Sequence, residues 1–129
     1  MDVDVLGARF RLEDSRIDAT PEEIRRQIRE YERGERRSFD LDVEYVPGFG
    51  GEVMRAMAAI PYGETRTYGE LAAELNTAAV AVGQACGGTP LPVIVPCHRV
   101  VGANSLGGYS GPGGVATKHR LLSHEGAIE

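Results

Sequence analysis

Residues 91–102 read LPVIVPCHRVVG, an apolar run closed by Pro96 and followed at once by a cysteine, a histidine and an arginine. Between two apolar segments such side chains are either buried and mutually satisfied or exposed on the floor of a site. A thiol becomes a nucleophile when a neighbouring base or a positive field favours its thiolate. His98 is the nearest base to Cys97, but adjacent side chains in regular structure point apart, so contact needs a turn or an intervening water. In VATKHRLLSHE, Glu125 lies four residues beyond Leu121 and three beyond Leu122, on the face this helix turns to the core. An inward carboxylate at a helix C-terminus, where the dipole disfavours an anion, requires a donor or a cation. His98 can supply it, and Cys97, His98 and Glu125 then make a nucleophile, a base and an orienter. The alternative, equally open on pattern alone, is a Glu125 frayed into solvent and a His98 satisfied in the core.

The elements that must hold these residues are legible as patterns. Residues 3–12 alternate as a strand. Thr20 as N-cap, Pro21 at the first helical position and Glu23 reaching back open a helix with Ile24, Ile28 and Tyr31 inward, ended near Gly34. Phe39, Leu41, Val43 and Tyr45 alternate as a half-buried strand. Residues 1–46 therefore form a short strand-helix-strand unit, expected to cap the main domain, and PGFGG marks the boundary to residues 47–129. After it, EVMRAMAAI reads as a helix stopped by Pro61. TYGELAAEL carries a Thr67/Glu70 capping box, and a break at Asn76 and Thr77 leads into a second helix from AAVAVGQACGG. Two short helices joined by a tight turn are the helix-turn-helix pattern. Residues 93–95 read as a short buried strand ahead of the cysteine, and Val115, Leu121 and Leu122 as the core face of the last helix. The fold class is α+β: a mostly helical, winged-helix-like domain behind a small N-terminal unit.

Composition narrows the function. The 129 residues suit one core with a small appendage, and neither an apolar stretch near twenty residues nor a leader pattern is present, so a cytoplasmic protein without a membrane segment is expected. Cys86 and Cys97 do not form C-x-x-C and read as a structural thiol and a reactive one; the histidines and cysteines lack zinc-ligand spacing, so no metal is expected. Net charge is −5, residues 1–45 carry nine arginines against thirteen acids, and Lys118 is the only lysine. A nucleic-acid binder normally shows the opposite balance, which a salt-loving source would reconcile. The second helix of the pair is smooth, with Ala78, Ala79, Ala81, Gly83, Ala85 and Gly87. Tight packing on its own protein is the plainer reading. The other is a helix laid in a groove, touching nucleic acid through Asn76, Thr77, Gln84 and backbone amides.

Four ordered motifs decide between these readings. IPYGETRTYGELA, VPCHRVVG, GGYSG and LLSHEG resemble the successive signatures of the O6-alkylguanine-DNA alkyltransferases, over about residues 47–129, the family's C-terminal active-site domain. GERRSFDL resembles only the tail of that family's N-terminal domain, most of which is missing. The resemblance implies that Cys97 accepts the alkyl group as a thiolate, that His98 acts through a water as base, that Glu125 orients His98, and that Tyr68 protonates the departing guanine. It implies a lesion pocket formed by Tyr109, Ser110, Val100 and Pro92, with Tyr109 and Ser110 as its walls. It places Thr67, Asn76, Thr77 and Ala79 on DNA, and with them Val80, Gly83, Gln84 and Gly87, as the helix enters the minor groove and the lesion flips out. Double-stranded DNA carrying an alkylated guanine is the implied partner of a monomer that needs no cofactor, and each molecule acts once because a thioether does not hydrolyse.

Two positions depart from that family's pattern: Val80 stands where it has an arginine finger, and Thr89 where it has a hinge asparagine. Val80 cannot hydrogen-bond an orphaned cytosine, so support for base flipping is reduced. A module that senses alkylated DNA without efficient transfer is the alternative function. A Cys-His-Glu hydrolase or acyltransferase ranks third, since a helix-turn-helix just before the nucleophile has no evident use there.

Overall fold

The computed structural model describes residues 1–129. In chain order it contains β1 (Asp2–Val5), β2 (Ala8–Arg11), α1 (Pro21–Glu32), α2 (Gly48–Ala58), β3 (Arg66–Thr67), α3 (Tyr68–Glu74), α4 (Ala79–Gly87), β4 (Val100–Val101) and α5 (Val115–His124), with single 3-10 turns at Asp14–Arg16 and Cys97–Arg99. This is an α+β fold whose two sheets have two strands each.

The single strand expected over residues 3–12 is a hairpin. Leu6 and Gly7 take positive φ values of 50° and 86°, reversing the chain so that Val3 pairs with Phe10 and Val5 with Ala8. The alternation survives the turn, and all four of these side chains are buried. α1 is capped as read: the Thr20 hydroxyl accepts from Glu23 N at 3.2 Å, and Ile24, Ile28 and Tyr31 are buried. Glu23 does not reach back; its carboxylate is held by Arg26 one turn on.

Residues 39–45 do not form the expected strand. Val43 bridges Ile17 alone, and beyond it no neighbouring chain offers a ladder; Phe39, Leu41, Val43 and Tyr45 nevertheless pack half-buried on the core, as their alternation implied. Residues 93–95 also differ from the strand expected of them. Pro92 and Pro96 remove two ladder donors, and the segment folds into a turn closed by Val95 N to Leu91 O at 2.8 Å, with Val93 at φ 73°. A β-branched residue in that region carries backbone strain. Helix α2 begins four residues before the expected start, and Gly51 is required there because a Cβ would run into the Val46 carbonyl. Val115 is 46% exposed, not in the core, because it stands at the first position of α5.

The helix pair forms as read. Thr67 and Glu70 make both bonds of a capping box, at 3.0 and 2.9 Å, and Asn76 turns the chain into α4 with φ 54°. One buried cluster runs through the molecule, from Val3, Phe10, Ile24 and Tyr31 to Met57, Leu71, Val82, Val95 and Leu121. The small parallel pair β3–β4 matters most for chemistry. Thr67 pairs with Val101, so the start of α3, with Tyr68, is set beside the turn that carries Cys97.

Candidate active site

Cys97 opens the 3-10 turn Cys97–Arg99 directly after the strained bend, 7% exposed, with its backbone N–H donating to Val95 O at 2.8 Å. It lies on a cavity of about 570 Å³ lined also by Tyr68, Ala79, Val80, Gly83, Cys86, Gly87, Gly108, Tyr109 and Ser110. Val80, 72% exposed, marks the cavity mouth on the protein surface. The loop bearing Tyr109 and Ser110 is tied to α4 by the Ser110 hydroxyl, which donates to Gly87 O at 3.2 Å. A Cβ at Gly111 would sit 2.5 Å from the Tyr109 ring, so a larger residue there would have to displace that ring.

Behind Cys97, the side chains of His98 and Glu125 are wholly buried and meet at 2.7 Å between Nε2 and Oε2. Burial alone would raise the Glu125 carboxyl, but hydrogen bonds from His98 and Arg99 hold it down to about 2. An ionised carboxylate only accepts, so His98 Nε2 carries the proton and Nδ1 keeps its lone pair; Nδ1 is buried without a protein partner. Burial lowers the His98 pKa against the pull of Glu125, which keeps the imidazole neutral and able to accept a proton.

Cys97 is not ionised at rest, contrary to the expectation of a standing thiolate. Burial pushes the Cys97 thiol up to about 11, although Tyr109 and Lys118 both favour its anion. The Tyr109 hydroxyl itself is buried and makes no hydrogen bond of proper geometry, so its bond to sulfur is one for the anion to complete. For Cys97 to act as a nucleophile it would have to give up its proton, and the neutral imidazole next door is able to receive one.

Three residues assigned no role from sequence belong to this arrangement. Arg99 pairs with both Glu125 oxygens, at 2.8 and 3.1 Å, and donates to Ile60 O at 2.7 Å. Tyr31, from α1, donates to Glu125 Oε2 at 2.7 Å. Lys118, wholly buried, gives its three donors to Val100 O (2.6 Å), Gly108 O (3.0 Å) and Tyr68 Oη (3.4 Å). A signal for Lys118 existed: it precedes Leu121, Leu122 and Glu125 by three, four and seven residues, on their helical face. Nothing local could have announced Tyr31, 94 positions from its partner. Cys86, read as simple packing, is buried but lines the same cavity as Cys97.

The other sequence candidates divide. Tyr68, Tyr109 and Ser110 wall the cavity with Ala79, Val80, Gly83 and Gly87. Asn76 and Gln84 are exposed, Thr77 half-buried, and Thr67 is occupied as the cap of α3. Val100 does not wall the cavity: it is fully buried and contributes its carbonyl to Lys118. Pro92 lines instead a neighbouring cavity of about 190 Å³ that also reaches Cys97 and Thr89. The Thr89 hydroxyl is buried without a partner, so it fastens nothing in the bend ahead of Cys97.

Residues 48–127 match the family described as 6-O-methylguanine DNA methyltransferase, DNA binding domain. A methylated-DNA--protein-cysteine methyltransferase of Archaeoglobus fulgidus is 42% identical over 113 residues, covering 82% of this chain and 76% of that protein. One from Mycolicibacterium paratuberculosis is 45% identical over 103 residues, covering 77% and 61%. Among solved structures, Mycobacterium tuberculosis OGT in complex with DNA superposes with a TM-score of 0.73 at 44% identity, over 78% of this chain and 62% of that one. The O6-methylguanine methyltransferase of the same organism gives 0.75 at 41%, over 84% and 67%. The chain thus spans between 61% and 76% of the length of these four chains.

Proposed function

This chain belongs to the 6-O-methylguanine DNA methyltransferase family, and from that premise we propose that it repairs DNA by taking the alkyl group of an O6-alkylguanine onto Cys97, once per molecule. The observation that carries this reading is a neutral thiol on a surface-opening cavity of about 570 Å³, backed by a neutral imidazole whose far nitrogen is held by an ionised carboxylate. In the proposed reaction Cys97 gives its proton through a water to His98 Nδ1, and Glu125 balances the imidazolium. Sulfur attacks the alkyl carbon in line; the S–C bond forms as the C–O6 bond breaks, and the electron pair stays with guanine. Tyr68 protonates the leaving base, and Lys118, at 3.4 Å from its hydroxyl, steadies the phenolate. The thioether is stable to water, which limits the protein to one event.

The partner on this reading is double-stranded DNA with a flipped, alkylated guanine, approached by a monomer through α4, with Ser110 and Tyr109 against the displaced base. Residues 47–129 are the DNA-binding and active-site domain and residues 1–46 its accessory unit. The setting is the cytoplasm, where a thiol acceptor stays reduced; no helix is long and apolar enough to cross a membrane. The test is intact-protein mass spectrometry after mixing with a methylated oligonucleotide. One methyl group is expected on the peptide holding Cys97 and none in Cys97→Ala. Tight lesion binding with no mass gain would instead favour the sensing module, and turnover beyond one event a hydrolase.

A further inference from the structure

Three donors converge on one oxygen of Glu125. Oε2 lies 2.7 Å from His98 Nε2, 2.7 Å from the Tyr31 hydroxyl and 3.1 Å from Arg99 Nη2, whereas Oε1 takes only Arg99 Nε at 2.8 Å. Tyr31 is 1% exposed and comes from α1, ahead of the residues 48–127 that match the family model. Both its ends are fastened to the end of α5: the hydroxyl to Glu125 and the carbonyl to His124, whose Nε2 lies 2.8 Å away. Phe39, Tyr62 and His124 clamp the ring at centroid distances of 5.6, 6.2 and 5.1 Å. For filling this space a phenylalanine would serve equally well. The hydroxyl is the part that needs a reason.

We propose that Tyr31 is a positioning residue for the alkyl transfer: its hydroxyl shares Glu125 Oε2 with the His98 imidazole, fixing the carboxylate against the ring and restraining how strongly that acid draws a proton onto His98. Each donor to a carboxylate oxygen takes up part of its negative charge, so donors to one oxygen weaken one another. The groups facing Glu125 are His98 and Arg99 from the acceptor turn and Tyr31 from α1; Lys118 acts on His98 from one face up α5, and Tyr62 adjoins the Tyr31 phenol. Without the Tyr31 hydroxyl, Glu125 becomes a stronger acceptor and His98 protonates at higher pH. The neutral imidazole that receives the Cys97 proton is then lost earlier as pH falls. A contact from the N-terminal unit thereby sets the working pH of the acceptor.

The kinetic consequence rests on the alkyl-transfer reading above; the effect on His98 does not. The experiment uses the full chain as Tyr31→Phe and, separately, with 3-fluorotyrosine at position 31, which keeps the ring and the hydroxyl and makes the phenol a stronger donor. Single-turnover transfer from a methylated oligonucleotide and the 15N shifts of the His98 ring are followed from about pH 5 to about pH 9. In Tyr31→Phe the acid limb of the rate and the imidazole titration both move up by about half a pH unit or more; with fluorotyrosine both move down. Profiles that superimpose on the native ones in both variants, whatever their amplitude, overturn the proposal and leave Tyr31 a packing residue. Should the native protein transfer no methyl group at any pH, the repair reading fails while the 15N titration still decides the role of Tyr31. If the phenylalanine variant does not fold, the direction of the fluorotyrosine shift decides.

Discussion

Replacing Glu125 tests whether the buried network behind Cys97 acts as one energetic unit. Its carboxylate accepts from His98 Nε2, the Tyr31 hydroxyl and two nitrogens of Arg99, and in Glu125→Leu all four donors lose it. The Tyr31 hydroxyl and the imidazole N–H each forfeit about 1 kcal/mol. Arg99, 7% exposed, keeps only Ile60 O, and an uncompensated buried charge costs about 3–5 kcal/mol. The sum, about 5–7 kcal/mol, is comparable with the whole stability of many domains of this size, about 5–15 kcal/mol. Arg99→Met removes the cation and leaves Glu125 with His98 and Tyr31, and Arg99→Met/Glu125→Leu removes both charges. Urea unfolding of the four proteins at neutral pH gives the coupling. We expect the double variant to be more stable than the sum of the single losses by about 2 kcal/mol or more. Losses that add to within about 0.5 kcal/mol would refute the reasoning, because a desolvated, shared ion pair cannot behave as two independent sites.

The remaining predictions follow from the same groups. Stability should be greatest between about pH 6.5 and pH 9. On the acid side the unfolded chain takes up protons that the native state refuses, at His98, lowered from 6.5, and at Glu125, which is held at about 2 against an ordinary 4.5; stability therefore falls as pH drops below each ordinary value. On the alkaline side Cys97, at about 11, and Cys86, at about 12, keep protons that the unfolded chain has lost, so stability falls as pH rises above their ordinary 9. Thermal melts across that range check both limbs, and a flat profile from pH 3 to pH 11 would contradict the burial of these groups. Val80→Arg should speed methyl transfer from duplex DNA by about tenfold, leaving the single-stranded rate near its native value. Val80 stands exposed at the cavity mouth, and base extrusion costs a few kcal/mol only where the lesion is stacked and paired. Equal effects on both substrates would count against it.

Much of the site was legible because its members announce themselves locally. Cys97 and His98 are neighbours in sequence, the Thr67/Glu70 capping box is written in four residues, and Glu125 falls on the core face of α5 by helical spacing. Where the reading failed, the outcome turned on whether a neighbouring strand was there to pair with. Residues 93–95 have the composition of a strand, but flanking prolines and the absence of a neighbour fold them into a bend, and residues 39–45 alternate without finding a ladder beyond one bridge. Val100 was a pocket residue by family resemblance, whereas the parallel pairing of β3 with β4 turns it inward and gives its carbonyl to Lys118.

By itself, then, the sequence determined the helix pair and the family and singled out the candidate nucleophile, base and acid, because each depends on residue type and short spacing. Only the tertiary structure decided the protonation states and the company these residues keep. Whether Cys97 rests as a thiol depends on how completely it is desolvated, and whether Glu125 is ionised depends on donors gathered from α1 and from the acceptor turn. Burial and long-range contact are properties of the packed chain as a whole, and no local stretch of residues encodes them.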